Sequence, residues 1–318
     1  MASAATKAKT APPTVKPKGL AGVQAWFGRN WCYVMAFFVP VILLYIAYAI
    51  FGLTPFGERS VLCLDLNGQY IYYFEAIRDA FWGDGSLLYN WTRNLSGDYS
   101  GIIGYYLASP FTLIVMLLPR TMILTSMLIM ILCKLGAASA TMCYYLRKSK
   151  HASPLISVTL GTCFGMCAYG VIQTIDPMWL DGLVFLPLIA LGVEYLVDDG
   201  RKLNYIIPLA AICIANFYIG FMCCIFTAIY FVYYVCFASD KIKFNVKDPL
   251  PLIHVCSDLI IYAFVGFLEA VFFQFPTVLA YFSSLPLIDS TLLLAVQVVA
   301  GLSHLFLFEA LVLQFLAA

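Results

Sequence analysis

The chain has 318 residues, of which 63% are hydrophobic and only 11% are charged, and its formal net charge is +1. Soluble domains carry roughly a quarter of their residues as charges, so this composition excludes a water-soluble fold. Several apolar runs reach the roughly 20 residues that cross a bilayer as a helix, without the alternation of a transmembrane β-barrel. The sequence therefore predicts an all-α protein, a polytopic transmembrane helical bundle.

Charge and cysteine usage limit the partners further. The basic residues lie in short groups between apolar runs, so we expect the lipid bilayer as a partner and no nucleic acid. The 11 cysteines are scattered through apolar segments without paired spacing or nearby histidines, which favours buried thiols over disulfides or a metal site.

Residues 1–22 combine lysines with Ala, Thr, Pro and Gly and lack apolar periodicity, which predicts a disordered basic tail. The tail and Arg29 precede the first apolar run, at 31–53, so the positive-inside rule places the N-terminus in the cytoplasm. Residues 23–318 are then expected to form a single transmembrane domain of about eight spans.

The basic group of Arg147, Lys148 and Lys150 should also be cytoplasmic, which requires the apolar run at 102–118, broken by Pro110, to stay on the outer side. The remaining spans are then expected at 121–146, 153–174 and 183–197. The run at 203–237 is too long for one ordinary span, and we expect two helices that turn near Asn216, although one long tilted helix is an alternative. Two further spans are expected at 253–275 and 291–316.

The longest polar passage, at 59–106, follows the first span and should form a large extracytoplasmic loop. In this passage Asp65, Gln69 and the apolar residues that follow fall at helical spacing. This spacing predicts interfacial helices that lie along the membrane surface. Polar residues gathered in so apolar a chain are typical of a functional site.

Asp65 is the candidate catalytic residue of this loop. A carboxylate at the membrane interface is partly desolvated, which raises its pKa and suits a general base. Gln69 and Tyr70 have the spacing to bind hydroxyl or phosphate groups beside it. The alternative is a helix cap or a solvated loop aspartate.

The second predicted outer loop contains two carboxylates, Asp176 and Asp181, on either side of Trp179. They have the chemistry to ligate a divalent cation or to contact sugar hydroxyls, with Trp179 as a stacking platform. Helix capping is the alternative: it is the favoured interpretation for Asp176, which precedes Pro177, whereas for Asp181, one turn into a span, both interpretations stay open.

Other candidate binding residues are single side chains. Arg93 offers forked donors to a phosphate group, or forms a surface ion pair. Tyr105 and Tyr106 line a lipid groove or belong to an interfacial aromatic belt. Asn216 and Tyr218 are candidate cavity-lining groups at a helix break. Lys134 lies within a predicted span, and we assign it no role.

Several motifs occur in a familiar order. They are Asp65-x-x-x-Gln69-Tyr70, then Tyr105-Tyr106-Leu107-Ala108-Ser109-Pro110-Phe111, Met178-Trp179-Leu180-Asp181, Leu186-Pro187-Leu188-Ile189-Ala190-Leu191-Gly192 and Asn216-Phe217-Tyr218-Ile219-Gly220-Phe221. Together they resemble the bacterial YfhO family of membrane proteins, which are similar to GT-C glycosyltransferases. The resemblance covers about residues 27–240.

This resemblance implies a GT-C-like fold in the bacterial cytoplasmic membrane. It also implies transfer of a sugar from a polyprenyl-phosphate carrier to an extracytoplasmic cell-envelope acceptor such as lipoteichoic acid. Asp65 would then be the general base, Arg93 would steady the leaving phosphate, and Asp181 and Asn216 would line the cavity. No cofactor and no metal are expected for a carrier with one phosphate, with a divalent cation left as an alternative.

Two other functions stay open from the sequence. One is a lipid or polysaccharide transporter or flippase. The other is an inactive fragment of the family, because residues 248–318 match the family pattern poorly and suggest a truncated or frame-shifted end.

Overall fold

The computed structural model describes residues 20–83, 85–91, 97–239, 256–257 and 259–261. The helices are α1 (Leu20–Ile50), α2 (Ile71–Trp82), α3 (Ser100–Ile102), α4 (Thr112–Leu117), α5 (Ile123–Lys148), α6 (Pro154–Gly165), α7 (Ala168–Ile172), α8 (Leu180–Asp199), α9 (Leu203–Ala215) and α10 (Phe217–Tyr233). A two-stranded antiparallel hairpin joins β1 (Tyr89–Asn90) to β2 (Gly97–Asp98). The prediction of an all-α polytopic bundle is confirmed.

Within this described part, four helical segments are long and apolar enough to cross a membrane: Gly22–Ile50, Arg120–Lys148, Pro177–Asp199 and Phe217–Ala238. A fifth candidate is the pair formed by Pro154–Gly165 and Ala168–Ile175, which is bent by 48°. With 13 residues, α9 is about 20 Å long, shorter than the hydrocarbon core of about 30 Å. The chain is therefore a multi-pass membrane protein.

The helix boundaries test the predicted spans. The expected span at 153–174 is interrupted between α6 and α7 instead of being one straight helix. The run at 203–237 divides at Asn216, as predicted. The run at 102–118 forms only short helical pieces, none of them long enough to cross a membrane as a helix. The predicted tail lies almost entirely outside the described residues, as do most of 253–275 and all of 291–316.

Local sequence explains several helix ends. Ser153 accepts a hydrogen bond from the Ile156 amide at 3.5 Å, and Pro154 occupies the first position of α6, where a missing N–H costs nothing. Gly200 ends α8 in the left-handed region, with φ of 67°, a conformation that glycine adopts without strain.

The ion pairs Lys134–Asp181 and Lys150–Glu194 connect α8 first to the middle of α5 and then to the residues just after it, and we describe the bundle by its two ends. We call the end that carries Asp65, Asp176 and Asn216 the loop end. The opposite end carries Lys148 and Arg201 and is called the basic end. Close helix contacts depend on small residues: a Cβ on Gly192 of α8 would lie 2.5 Å from the carbonyl oxygen of Asn204 at the start of α9.

The first loop folds back onto the loop end. A π-helical turn, Leu66–Tyr70, leads into α2, whose Phe74 and Ile77 are buried against the core. Side-chain hydrogen bonds tie α2 to the segment before α5: Arg78 Nε donates to the Leu118 carbonyl at 2.8 Å, and Trp82 Nε1 to that of Met116 at 2.9 Å. The predicted loop helix thus forms and is fixed in place by the bundle.

Candidate active site

Asp65 lies at the start of the π-helical turn and is exposed at the loop end. Gln69 Nε2 donates to Asp65 Oδ1 at 3.2 Å, and the Tyr106 hydroxyl donates to Gln69 Oε1 at 3.1 Å. This chain of hydrogen bonds orients the carboxylate. The structure therefore brings together three of the candidate residues, although they come from segments about forty positions apart.

The backbone just before Asp65 is strained. Leu64 has φ of 47°, the left-handed region that costs a non-glycine residue about 1 kcal/mol or more. Its side chain is 76% exposed, so apolar burial does not explain the conformation. Strain of this kind is common where a fold holds a functional group in place.

Asp176 is a second carboxylate at this site. It occupies the N-cap position of the 3₁₀ turn Pro177–Trp179, with proline first in the turn as the capping interpretation predicted, but its side chain makes no capping hydrogen bond. Partial burial raises the pKa of Asp176, and the negative charge of Asp65 raises it further. Two carboxylates from two separate loops therefore lie within electrostatic range of each other.

Tyr70 lies beneath this pair. Its side chain is 1% exposed, and none of the described residues accepts a hydrogen bond from its hydroxyl. Burial raises the pKa of Tyr70 well above its usual range, with further contributions from Asp176, Tyr106 and Asp65. The phenol remains a protonated donor next to the carboxylates, and a buried donor of this kind gains about 1–3 kcal/mol when it finds an acceptor.

Asp181 has a different environment from the other two aspartates. It is 1% exposed, and its carboxylate accepts from Lys134 Nζ at 2.8 Å and from Ser109 Oγ at 2.8 Å. Lys134, itself 2% exposed, also donates to the Pro177 carbonyl at 2.9 Å. The hydrogen-bond donors to the Asp181 carboxylate are therefore groups of the protein itself. The Lys134–Asp181 pair anchors the segment that carries Asp176.

Sequence reasoning noted Lys134 within a span but assigned it no role. It lies eleven residues into α5, about 16 Å along the helix axis from Ile123. A cation at that depth in an apolar span is costly unless it is paired. This cost indicates that Lys134 has a buried partner. The identity of the partner depends on how α5 packs against α8.

Asn216 has a structural role at the loop end. It is fully buried, its Oδ1 accepts from the Ile219 amide at 3.0 Å, and its Nδ2 donates to the Tyr105 carbonyl at 3.1 Å. One amide side chain thus caps α10 and fixes the segment next to Tyr106.

Aromatic rings form one side of the site. Trp179 and Tyr218 meet edge to face with ring centroids 5.4 Å apart, and Tyr105 contacts Tyr106 in the same way at 4.7 Å. Tyr218 is 39% exposed. Partly exposed rings of this kind offer an apolar surface together with polar tips, which suits an amphipathic ligand.

Arg93, the predicted phosphate ligand, lies outside the described residues. Among the residues that are described, no group of three or more His, Cys, Asp or Glu side chains is placed to hold a metal ion. The chemistry that this site offers is a pair of interacting carboxylates, one of them oriented by hydrogen bonds, beside a buried phenol.

Comparison with known proteins identifies the family. The model of the family described as bacterial membrane protein YfhO matches residues 35–305, a range that extends well past the motifs noted above. No curated protein and no solved structure matches the chain. Because the family model covers more than half of its length, the chain belongs to the bacterial membrane protein YfhO family.

Proposed function

We propose that the protein is a membrane glycosyltransferase of GT-C type. It transfers a sugar from a polyprenyl-phosphate carrier to a hydroxyl of an extracytoplasmic cell-envelope acceptor such as lipoteichoic acid. The observation that carries this proposal is the pair of carboxylates, Asp65 and Asp176, at the loop end of a membrane bundle.

In this proposal Asp65 is the general base. It takes the proton of the acceptor hydroxyl while that oxygen forms a bond to the anomeric carbon of the donor sugar. The bond between this carbon and the carrier's phosphate oxygen breaks, and the phosphate leaves with the electron pair. The hydrogen bonds from Gln69 and Tyr106 support the role, because an oriented base loses less entropy on reaching the reactive geometry.

Asp176 adjusts the chemistry of this base. Two neighbouring carboxylates resist being ionised together, so one holds a proton at higher pH than an isolated aspartate does. The raised pKa of Asp176 fits this arrangement. A carboxylate pair that favours holding one proton can accept the acceptor's proton and release it after each turnover.

Several groups are proposed to hold the donor. The Tyr70 hydroxyl, which is buried and has no acceptor among the described residues, is the proposed donor to an oxygen of the sugar or phosphate, and Arg93 is the proposed cation for the leaving phosphate. Trp179 and Tyr218 offer partly exposed rings beside the prenyl chain. The carrier has a single phosphate, and we propose that transfer needs no metal.

The reaction is proposed to take place outside the bacterial cytoplasmic membrane. The basic end carries Arg147, Lys148 and Lys150 at the end of α5, and such clusters are normally retained in the cytoplasm. The loop end then faces outward, and the N-terminus is cytoplasmic.

A lipid transporter is the second candidate, favoured by the deeply buried Lys134–Asp181 pair and the broken helix pair α6 and α7. Transport predicts movement of labelled carrier lipid between leaflets without transfer of its sugar. An assay that follows the lipid and the sugar separately distinguishes the two functions.

The test is a transfer assay with purified protein in proteoliposomes, a radiolabelled polyprenyl-phosphate sugar and a cell-envelope acceptor. Asp65→Asn keeps the shape of the side chain but removes the base, so we expect transfer to fall by about 10²–10⁴-fold. Glu58→Gln is the matched control, because Glu58 is an exposed carboxylate of the same loop. Undiminished transfer by Asp65→Asn would refute the assignment.

A further inference from the structure

A groove at the basic end shares no lining residue with the candidate active site. It is a cavity of about 290 Å³ between α5, α8 and α9. The lining residues are mostly apolar: Tyr144, Phe185, Leu188, Leu191, Gly192, Tyr195, Leu203, Asn204, Ile207, Pro208 and Ala211. Ile207 is 62% exposed, so the groove opens on the perimeter of the bundle, where the bilayer is the solvent.

Two cations lie over the aromatic rings of this groove. Lys148 Nζ is 5.8 Å from the ring centroid of Tyr144, and the Arg201 guanidinium is 5.0 Å from that of Tyr195. Both tyrosines belong to the lining. The groove therefore has a positive charge from α5 on one side and another from the turn between α8 and α9 on the other.

The two acidic groups within electrostatic range of Tyr195 are each paired with a cation, Asp199 with Arg201 and Glu194 with Lys150. Asp199 pairs with Arg201 at 3.1 Å, but both side chains remain partly exposed, and such surface pairs are weak. Lys148 is exposed as well. Each cation keeps donor capacity for a second anion, because guanidinium has five N–H donors and ammonium has three.

We propose that this groove binds one anionic phospholipid of the bilayer. An acyl chain occupies the apolar slot, and the phosphate lies between Lys148 and Arg201. The volume is at the lower end of that of small-molecule sites, which suits part of a single chain. Charge complementarity selects an anionic headgroup, because basic pockets between transmembrane helices attract such lipids. This inference does not depend on the proposed transferase activity.

The test is native mass spectrometry of the purified protein with phosphatidylglycerol or phosphatidylcholine added in detergent. Wild type is expected to retain one phosphatidylglycerol in preference to phosphatidylcholine. The double variant Lys148→Gln/Arg201→Gln removes two contributions of about fivefold each, so we expect roughly 30-fold weaker retention of phosphatidylglycerol. Arg59→Gln, which removes an exposed cation at the loop end, is the control and should bind as wild type does.

A second variant tests the acyl-chain slot separately. Ala211→Phe fills the groove and should reduce retention of both lipids. Ala228→Phe is its control, since Ala228 is an exposed alanine on α10 outside the lining. Equal retention of the two lipids by wild type overturns the proposal, as does unchanged binding by the double variant. Displacement of phosphatidylglycerol by equimolar polyprenyl phosphate would also overturn it, because the groove would then be a carrier site.

Discussion

Removing the buried lysine should destabilise the bundle strongly. Lys134 and Asp181 are 2% and 1% exposed, and their charged atoms lie 2.8 Å apart. Lys134→Met leaves a carboxylate buried with only Ser109 as a hydrogen-bond donor, and it frees the Pro177 carbonyl. Breaking a buried pair by deleting one partner costs about 3–5 kcal/mol. We therefore expect a loss of about 4 kcal/mol in the free energy of unfolding.

This loss corresponds to a large change in melting temperature. A destabilisation of 1 kcal/mol lowers Tm by roughly 2–4 °C in a domain of this size, so Tm should fall by about 8–16 °C. A thiol-reactive dye measures unfolding directly in detergent, because Cys32, Cys143, Cys213 and Cys223 are buried in the native fold.

Two further variants decide whether the buried pair is the cause. Lys150→Met removes an ion pair of 3.1 Å to Glu194, but Lys150 is 46% exposed, and Glu194 keeps its hydrogen bond from Tyr230. We expect a loss of about 1 kcal/mol or less there. Lys134→Met/Asp181→Leu should recover most of the stability, because no uncompensated charge remains. Equal losses for Lys134→Met and Lys150→Met would refute the reasoning.

Three more predictions concern single positions. Asn216→Ala should cost about 1–2 kcal/mol, read from Tm, because it removes a helix cap as well as the hydrogen bond to Tyr105. Gly192→Ala should lower Tm, whereas Gly28→Ala, where a Cβ meets nothing within 4 Å, should leave it unchanged or raise it. The Tm of Asp176→Asn relative to that of wild type should increase as pH rises, which a series of Tm measurements at different pH values checks.

The sign of the Asp176 prediction follows from its raised pKa. The folded state holds the proton more tightly than the unfolded chain does, so ionisation of Asp176 opposes folding. This loss of folding free energy begins as pH rises above the pKa of Asp176 in the unfolded chain. It is complete above the pKa of Asp176 in the folded state. The advantage of the variant should therefore vanish in acid. An advantage that is largest in acid would contradict the raised pKa.

Much of the architecture could be predicted because it depends on local sequence. Apolar length identified the long helices, and the run at 102–118, which Pro110 breaks, forms only short helical pieces. The polar Asn216 in an apolar run marked the division between α9 and α10. Helical spacing after Asp65 anticipated the helix that α2 forms in the first loop.

The rest depends on tertiary contacts that no local pattern records. Lys134 and Asp181 are 47 positions apart, so their pairing exists only once α5 and α8 pack together. The motif Asp176-Pro177 is typical of a helix cap, but the Asp176 side chain makes no hydrogen bond to the amides of the turn that follows it. Asp65, which lies near Asp176 in the fold, belongs to another loop. Sequence spacing alone cannot show that the two residues are neighbours.

The central claim is that the site at Asp65 faces outward and binds the head of a carrier lipid. Cys63, two residues before Asp65, is exposed and is a native reporter of that position. In intact cells, a membrane-impermeant maleimide is expected to label wild type more than Cys63→Ser. In proteoliposomes, a polyprenyl-phosphate sugar should slow this labelling, whereas the same concentration of free polyprenol should not. Labelling of Cys63 only after the membrane is opened, or at a rate that the donor lipid leaves unchanged, would contradict the account.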